Sequence, residues 1–567
     1  MNPTNSGPSK SGPTSSERTG SDSTDSDRTG SDRPQVRGLR LVAFGDAGRW
    51  AAKPLGTPDT DPGEWSDGPR VLRRGRRMLV GLGVAEARHH VHVLGPTGTG
   101  KSTLLLRMVL AEAAAGRGVV VVDPHGDLAV RVLERLPQEC HGRLVVIDPD
   151  QTDAPVSWNV LDSTGVGAEL VTEHLVATLH RLYAPWWGPR LEDTLRAACL
   201  TLTHPSNQHS VTGAGGVGAA TLADIPRLLT DPRFRAAATA AVRRADPGGL
   251  GAFWDAYDAL TPAQAATVGG PVLSKLRAIT GRRFALDLLG AAPSTLDLTQ
   301  VLDGGILIVR LPKGVLGEDT TRLVGSLLLT GLWQAATART REAEAARLDA
   351  TVVVDECHNF LHLPIGLDDA LAEARSYRVS WVLAHQHLGQ LPATMAAAVD
   401  ANARNKVYFT LSPTDARVLA RHTAPHLDDH DLAALDGFQI ACRLMAGARP
   451  ARPFTLATLP APPAIPGGLE GARAAAAERG LPRSVRAEHA ARRRIAATGA
   501  RPSPTAIAPA GGAGSAVGSG AHSLAHSVPH SLARSLAHKQ WASERATLPG
   551  ADPQVAPGTD DEGQVPD

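Results

Sequence analysis

Between Gly95 and Thr103 the chain reads GPTGTGKST, directly after the apolar run VHVL and directly before LLLRMVLAEAAA. Gly95, four residues, then Gly100, Lys101 and Ser102 make the spacing of a phosphate-binding loop, and a strand before it with a helix after it is the context such a loop requires. Glycines let the backbone N–H groups of Gly95, Pro96, Thr97, Gly98, Thr99 and Gly100 (proline contributing shape only) turn around phosphate oxygens, and the helix N-terminus at Lys101, Ser102 and Thr103 adds its positive end. Lys101 is placed to reach the β and γ phosphates of a nucleotide, and the Ser102 hydroxyl to ligate Mg²⁺. Only seven of the 58 basic residues are lysines (10, 53, 101, 275, 313, 406 and 539). A lysine at this position is informative, because a compact ammonium fits among phosphates where a planar guanidinium does not.

Such a loop needs an acidic partner at the tip of a buried strand. TVVVDE supplies it: Asp355 ends the run Val352–Val354 and is the candidate Mg²⁺ ligand, while Glu356 is placed to act as general base on water. A helix cap with a first-turn acid is the plainer alternative for the pair. A third piece is VSWVLAHQ, with Gln386 at its tip. In folds of this kind the later strand lies between the loop strand and the acidic strand, which would turn Gln386 toward the γ-phosphate. His385 and His387 flank it and read as loop-entry residues pointing away.

Strands and helices alternate from 37 to 163: RRMLVGLG, VHVLG, the loop helix, GVVVVDPHGDL and RLVVIDPD. That alternation is the mark of βαβ units on a parallel sheet. From 164 to 290 strand-like runs give way to helical periodicity, as in LVTEHLVATLHRLY and LEDTLRAACLTL, which reads as an all-α insertion. Alternation resumes over 291–460 with ILIVRLP, TRLVGSLLLTGLWQAATART, ATVVVDE, VSWVLAHQ and KVYFTLS. The fold class expected is thus α/β: a P-loop domain with a parallel sheet, split around a helical domain. Residues 1–36, rich in Ser, Thr, Gly, Asp and Arg, read as a disordered arm, and 461–567 as a low-complexity, mostly disordered tail. In that tail His522, His526, His530, Arg534 and His538 recur every four residues, but Pro529 interrupts any helix that would align them.

GPTGTGKST, VVVVDPHGDL, VVIDPDQTDAPVSWNVLD, VVVDECHNF and VLAHQ, in this order, resemble the FtsK/HerA superfamily of ring-forming ATPases, and most of all the soluble forms of VirD4/TraG/TraD-type coupling proteins of type IV secretion. The similarity spans roughly residues 85 to 460. It implies a RecA-like motor domain with an all-α domain inserted in it, dependent on ATP and Mg²⁺, that assembles as a homo-hexamer and moves DNA through a central channel. It also implies an arginine donated from the neighbouring subunit. Arg375, just upstream of the Gln386 strand, matches that position, and Arg404 is the second candidate. Asp123 and Asp127 of DPHGDL read as a turn and helix cap in preference to nucleotide contacts. Arg190 and Glu192 of the insertion read equally as a local ion pair or a docking site.

Membrane-bound members of the superfamily carry N-terminal spanning helices, and no stretch here approaches about 18 apolar residues, so a separate membrane protein of a conjugation or secretion apparatus is an expected partner. Charge is nearly balanced, 58 basic against 57 acidic residues, which points to no bulk attraction for nucleic acid and leaves DNA binding to a local basic surface. The four cysteines, at 140, 199, 357 and 442, lack metal-ligand spacing and fit reduced thiols of a cytoplasmic protein, peripheral to a membrane through a partner. Two further readings stand beside the translocase: a HerA-like DNA-repair motor, which would bring an N-terminal β-barrel, and a nucleotide-dependent scaffold that recruits secretion substrates without moving DNA.

Overall fold

The computed structural model describes residues 39–40, 70–74, 77–208 and 219–488. The expected arm at 1–36 and the histidine-containing repeat lie outside them. Nine strands form the main sheet. Across it the order is Phe454–Ala457, Gln439–Arg443, Asn405–Tyr408, Val91–Leu94, Val379–His385, Ala350–Val354, Gly118–Asp123, Ile306–Arg310 and Leu144–Ile147. The seven strands from Asn405–Tyr408 to Leu144–Ile147 pair in parallel. Gln439–Arg443 and Phe454–Ala457 extend one edge by antiparallel pairing. Both were missed as strands in the sequence, where their short apolar runs lack a following helix. Central strands buried on both faces explain the unbroken valine runs VVVV and TVVV: every residue of Gly118–Asp123 and Ala350–Val354 is buried, and β-branched side chains suit that setting.

RRMLVGLG, read as the first strand of the βαβ series, does not join this sheet. Arg77–Gly83 instead pairs antiparallel with Arg70–Arg74 and with Leu39–Arg40 in a separate three-stranded sheet. Periodicity marks a strand but carries no information about its partner.

Between Ile147 and Ile306 the described residues contain helices and no strand, beginning with Ala168–Leu182 and Pro189–Thr203 and ending with Arg283–Leu289 and the short Leu298–Leu302. This helical insertion is not a detached body. Its Leu175, Leu179, Leu195, Leu202 and Trp254 share one apolar cluster with Val120, Val122, Leu307 and Val309 of the sheet. Trp254 is fully buried, and its indole N–H donates to Thr201 Oγ1 at 2.8 Å. The NVL motif sits at the junction. Trp158 packs on the long helix Glu318–Ala338 where a Cβ on Gly331 would stand 2.5 Å from its ring, and Asn159 donates to the Ala220 carbonyl at 2.9 Å.

The chain does not leave the domain at 461. Helix Gly468–Ala477 lies against the edge, with Ala472 and Ala476 buried among Leu133, Leu136 and Leu144. Arg473 reaches Asp148 Oδ2 at 3.0 Å, and Leu481 N–H donates to the Pro155 carbonyl at 3.0 Å. Residues 461–488, assigned by composition to the tail, therefore continue the fold. Among the described residues no helix is long and apolar enough to cross a membrane.

Candidate nucleotide site

The loop Gly95–Gly100 follows the strand Val91–Leu94 and opens the helix Lys101–Ala114. Gly98 and Gly100 adopt left-handed backbone at φ 86° and 112°, which side-chain-bearing residues resist. At two glycines space decides as well. A Cβ on Gly95 would stand 2.6 Å from Phe409 Cβ, and one on Gly100 would stand 2.7 Å from Phe438 Cδ1. Pro96, Thr97 and Gly98 form the exposed tip, while the Thr99 hydroxyl donates to the Pro96 carbonyl at 2.9 Å and tightens the turn. Thr103 faces inward and accepts from Arg131 at 3.1 Å.

Three strand tips converge on this loop. Val379–His385 lies between the loop strand and Ala350–Val354, as anticipated for a Gln-tipped strand. Lys101 Nζ donates to Glu356 Oε1 at 2.9 Å and lies 3.7 Å from Asp355 Oδ1. Gln386 Nε2 donates to Glu356 Oε1 at 2.9 Å. Gln390, which the sequence reading overlooked, donates to Glu356 Oε2 at 3.4 Å and accepts from the Gln386 N–H at 2.7 Å. The Glu356 backbone is left-handed at φ 46°, an outlier for a residue with a long side chain. Asn359 supports it by donating to the Glu356 carbonyl at 2.7 Å, and Lys313 Nζ in turn donates to Asn359 Oδ1 at 2.6 Å.

The carboxylates are unequal. Burial pushes the Asp355 carboxyl up to about 6, against the Lys101 charge, and Asp123 and Glu356 add to the rise. Burial acts on Glu356 in the same direction, but the Lys101 ammonium and the Gln386 hydrogen bond outweigh it and hold the group below its ordinary range. Two buried acids share Lys101, and the Asp123 carboxylate stands near enough to act on Asp355. That excess of negative charge around Lys101, with the half-buried Ser102 next in the chain at the helix start, suits a divalent cation with oxygen ligands. Asp123 itself is committed to structure: its carboxylate accepts from the backbone of His125 and Ala129, both at 2.9 Å, and caps the following helix.

His385 corrects the sequence reading. It is not a loop-entry residue but the fully buried end of its strand, stacked on His92 of the loop strand with ring centroids 5.0 Å apart. Its Nδ1 lies 3.0 Å from the His387 carbonyl, which can only accept. Nε2 is then unprotonated and receives the His92 Nε2–H at 2.8 Å. The pair thus ties the phosphate-loop strand to the turn that carries Gln386 and Gln390. His387 is exposed.

Arg375 is not brought to this site. It follows the helix Leu367–Ala374, at the start of the strand that ends beside Gln386, about 20 Å away along seven residues of extended chain. There it lines an open cleft with Arg88, His89, Asn402 and Arg404. Arg88 is held by Asp349 through two bonds of 2.8 and 3.0 Å, and burial together with Arg375 and Arg404 lowers His89 to about 4. The two arginine candidates therefore share one surface on the edge of the sheet opposite the phosphate loop. In the insertion, Glu192 accepts from Trp187 Nε1 and from Arg196, and Arg190 is exposed.

Residues 71–198 match the family model described as the central domain of helicase HerA. No curated protein matches the chain in sequence. Similar solved structures include the bacterial conjugative coupling protein TrwBΔN70 in an unbound form, 15% identical over 74% of this chain and 96% of that one, TM-score 0.48. TrwB in complex with the non-hydrolysable GTP analogue GDPNP is 16% identical over the same shares, TM-score 0.49. VirB4 of Thermoanaerobacter pseudethanolicus is 14% identical over 69% of this chain and 96% of that one, TM-score 0.45. The stretch that carries the phosphate loop, the DPHGDL turn and the start of the helical insertion is thus similar to the central domain of HerA helicases, as its motifs led us to expect.

Proposed function

We propose that the chain is an ATP-hydrolysing, Mg²⁺-dependent DNA translocase that works as a homo-hexameric ring, of the kind that serves as coupling ATPase in conjugation or type IV secretion. The observation that carries this reading is the arrangement of Lys101, Glu356 and Gln386 at one edge of the sheet with Arg375 and Arg404 at the other. A site with lysine, carboxylates and glutamine in place, whose two candidate arginines line a cleft away from it, is suited to completion by the next copy.

Mg²⁺ would be held by Ser102 and Asp355 and would neutralise phosphate charge. Lys101 binds the phosphates. While it does so its hold on Glu356 weakens, and Glu356 is left positioned by Gln386 and Gln390. A charged carboxylate so held accepts the proton of an attacking water. Gln386, bonded to that carboxylate and placed on the adjacent strand, links the state of the phosphate to the turn 386–390.

The HerA central-domain match over residues 71–198 supports a second reading, a motor for DNA repair. The N-terminal strands described here form only a three-stranded antiparallel sheet. Pull-down of a nuclease would favour the repair motor, and pull-down of a membrane component of a secretion apparatus the coupling ATPase.

The test is the ATPase rate with and without double- and single-stranded DNA, for wild type and Lys101→Ala. Stimulation by DNA that vanishes in the variant is the expected result. Turnover indifferent to DNA would remove the translocase reading and leave a scaffold.

A further inference from the structure

Phe438 has half of its surface in solvent and a left-handed backbone at φ 64°. An exposed phenylalanine alone is ordinary, but a bulky residue held at positive φ is an outlier that needs the surrounding structure to enforce it. Here it is enforced from several sides. The Phe438 N–H donates to the Thr99 carbonyl of the phosphate loop at 2.8 Å. Its carbonyl accepts from the Thr458 backbone at 2.7 Å and from the Thr458 hydroxyl at 3.0 Å. Asp436 and Gln439 close the turn on themselves, with the Gln439 amide donating to Asp436 Oδ2 at 3.1 Å and accepting from the Asp436 N–H at 3.3 Å. The ring rests on Gly100, where a Cβ would meet Cδ1 at 2.7 Å.

The order of the sheet says which part of a nucleotide this ring would meet. Relative to the loop strand Val91–Leu94, the tips bearing Glu356 and Gln386 stand on one side, and they fix where the terminal phosphate lies. Phe438 opens the strand Gln439–Arg443, two places away on the other side. A nucleotide laid along the loop with its terminal phosphate at Glu356 directs its base toward Phe438.

We infer that Phe438 is the stacking platform for the nucleobase, held in a strained backbone conformation by its bond to the phosphate loop. The inference rests on the nucleotide-site reading above. Stacking uses the face of the base, which every purine offers, so Phe438 supplies affinity without choosing between adenine and guanine. Because the same residue is bonded to Thr99, occupation of the ring by a base also steadies the loop.

The experiment is calorimetric titration of the full-length chain in the presence of Mg²⁺ with two probes, ADP and inorganic tripolyphosphate, which carries charge but no base. Wild type is compared with Phe438→Ala and Phe438→Trp. In the alanine variant the Kd for ADP rises roughly 5- to 100-fold, the Kd for tripolyphosphate is unchanged, and tryptophan restores ADP binding. Unchanged ADP binding in Phe438→Ala overturns the inference while leaving the nucleotide site intact. Equal weakening of both probes overturns it too, since Phe438 would then only shape the loop. Failure of wild type to bind either probe overturns the nucleotide-site reading itself, and this inference with it.

Discussion

Lys101 Nζ sits 2.9 Å from Glu356 Oε1, so the ammonium proposed to bind phosphate is engaged by the candidate general base of the same chain. Both side chains are almost wholly buried. A buried pair of this kind is costly to break from one side, because the remaining charge has no water to turn to.

Lys101→Ala is therefore expected to do more than abolish hydrolysis. It leaves Asp355 and Glu356 buried beside each other, and should destabilise the protein by about 3 kcal/mol, read as a lower urea midpoint. Adding Glu356→Gln to it should recover part of that loss with no recovery of turnover. A double variant no more stable than the single one would show that the pair is not the source of the effect.

Gln390 holds Glu356 from the second glutamine position and locks the Gln386 backbone. Gln390→Ala should lower kcat roughly tenfold with KM for ATP little changed, because it loosens the base rather than the phosphate cradle. Steady-state kinetics in ATP check this, and a rise in KM at constant kcat would contradict it.

The stacked histidines give a pH signature. Burial lowers His385 to about 4 and takes His92 well below its ordinary value. Between pH 6.5 and 4 the unfolded chain takes up protons that the folded pair refuses, so their contribution makes stability fall as pH falls through that window. His385→Asn should flatten this dependence by up to about 1.4 kcal/mol per pH unit, measured by urea unfolding at pH 4.5, 5.5 and 6.5. Asp400 titrates elsewhere. Burial alone would raise it, but His422 and Lys406 hold it well below the carboxylate range, so the stability it adds is lost only in stronger acid.

Arg375 and Arg404 line one cleft on the edge away from the phosphate loop. If Arg375 serves the neighbouring copy, Arg375→Ala should cut the ATPase rate by about 10³-fold, and mixing it with Lys101→Ala should restore a fraction of activity, since mixed rings contain intact composite sites. Mixtures no more active than their components would place the arginine outside the site of either copy. The same pair of measurements on Arg404→Ala distinguishes the two residues.

Ending the chain at residue 460 should lower the melting temperature by roughly 5 °C. It removes Ala472 and Ala476 from the apolar cluster and Arg473 from Asp148, leaving that buried carboxylate to Arg310. Thermal melts followed by circular dichroism read the shift directly.

The motifs were legible because each obeys a local rule. GPTGTGKST needs only its own backbone to curl, and the apolar runs ending in Asp355 and Gln386 mark buried strands by composition alone. From these the α/β class, the helical insertion and the set Lys101, Asp355, Glu356 and Gln386 could be read along the chain. What lacked a local mark was missed. Gln390 is a turn glutamine like any other until the strand beside it brings Glu356 within reach, and the C-terminal helix looks like tail until its alanines meet Leu133 and Leu144. His385 differs from a loop histidine only by what stands on the adjacent strand.

Residue types and short spacings thus carried the chemistry on offer: a phosphate cradle, a paired acid and a glutamine. Which of these meet, and which arginines cannot join them, depended on strand order, a property of pairings between segments hundreds of residues apart. Placing Val379–His385 between the loop strand and the acidic strand set Glu356 against Lys101, Gln386 and Gln390. Parallel strands gather their C-terminal tips on one edge and send what precedes them to the other, which puts Arg375 at the far end of its strand, whereas Phe438 reaches the loop because Gln439–Arg443 runs antiparallel and begins where the parallel strands end.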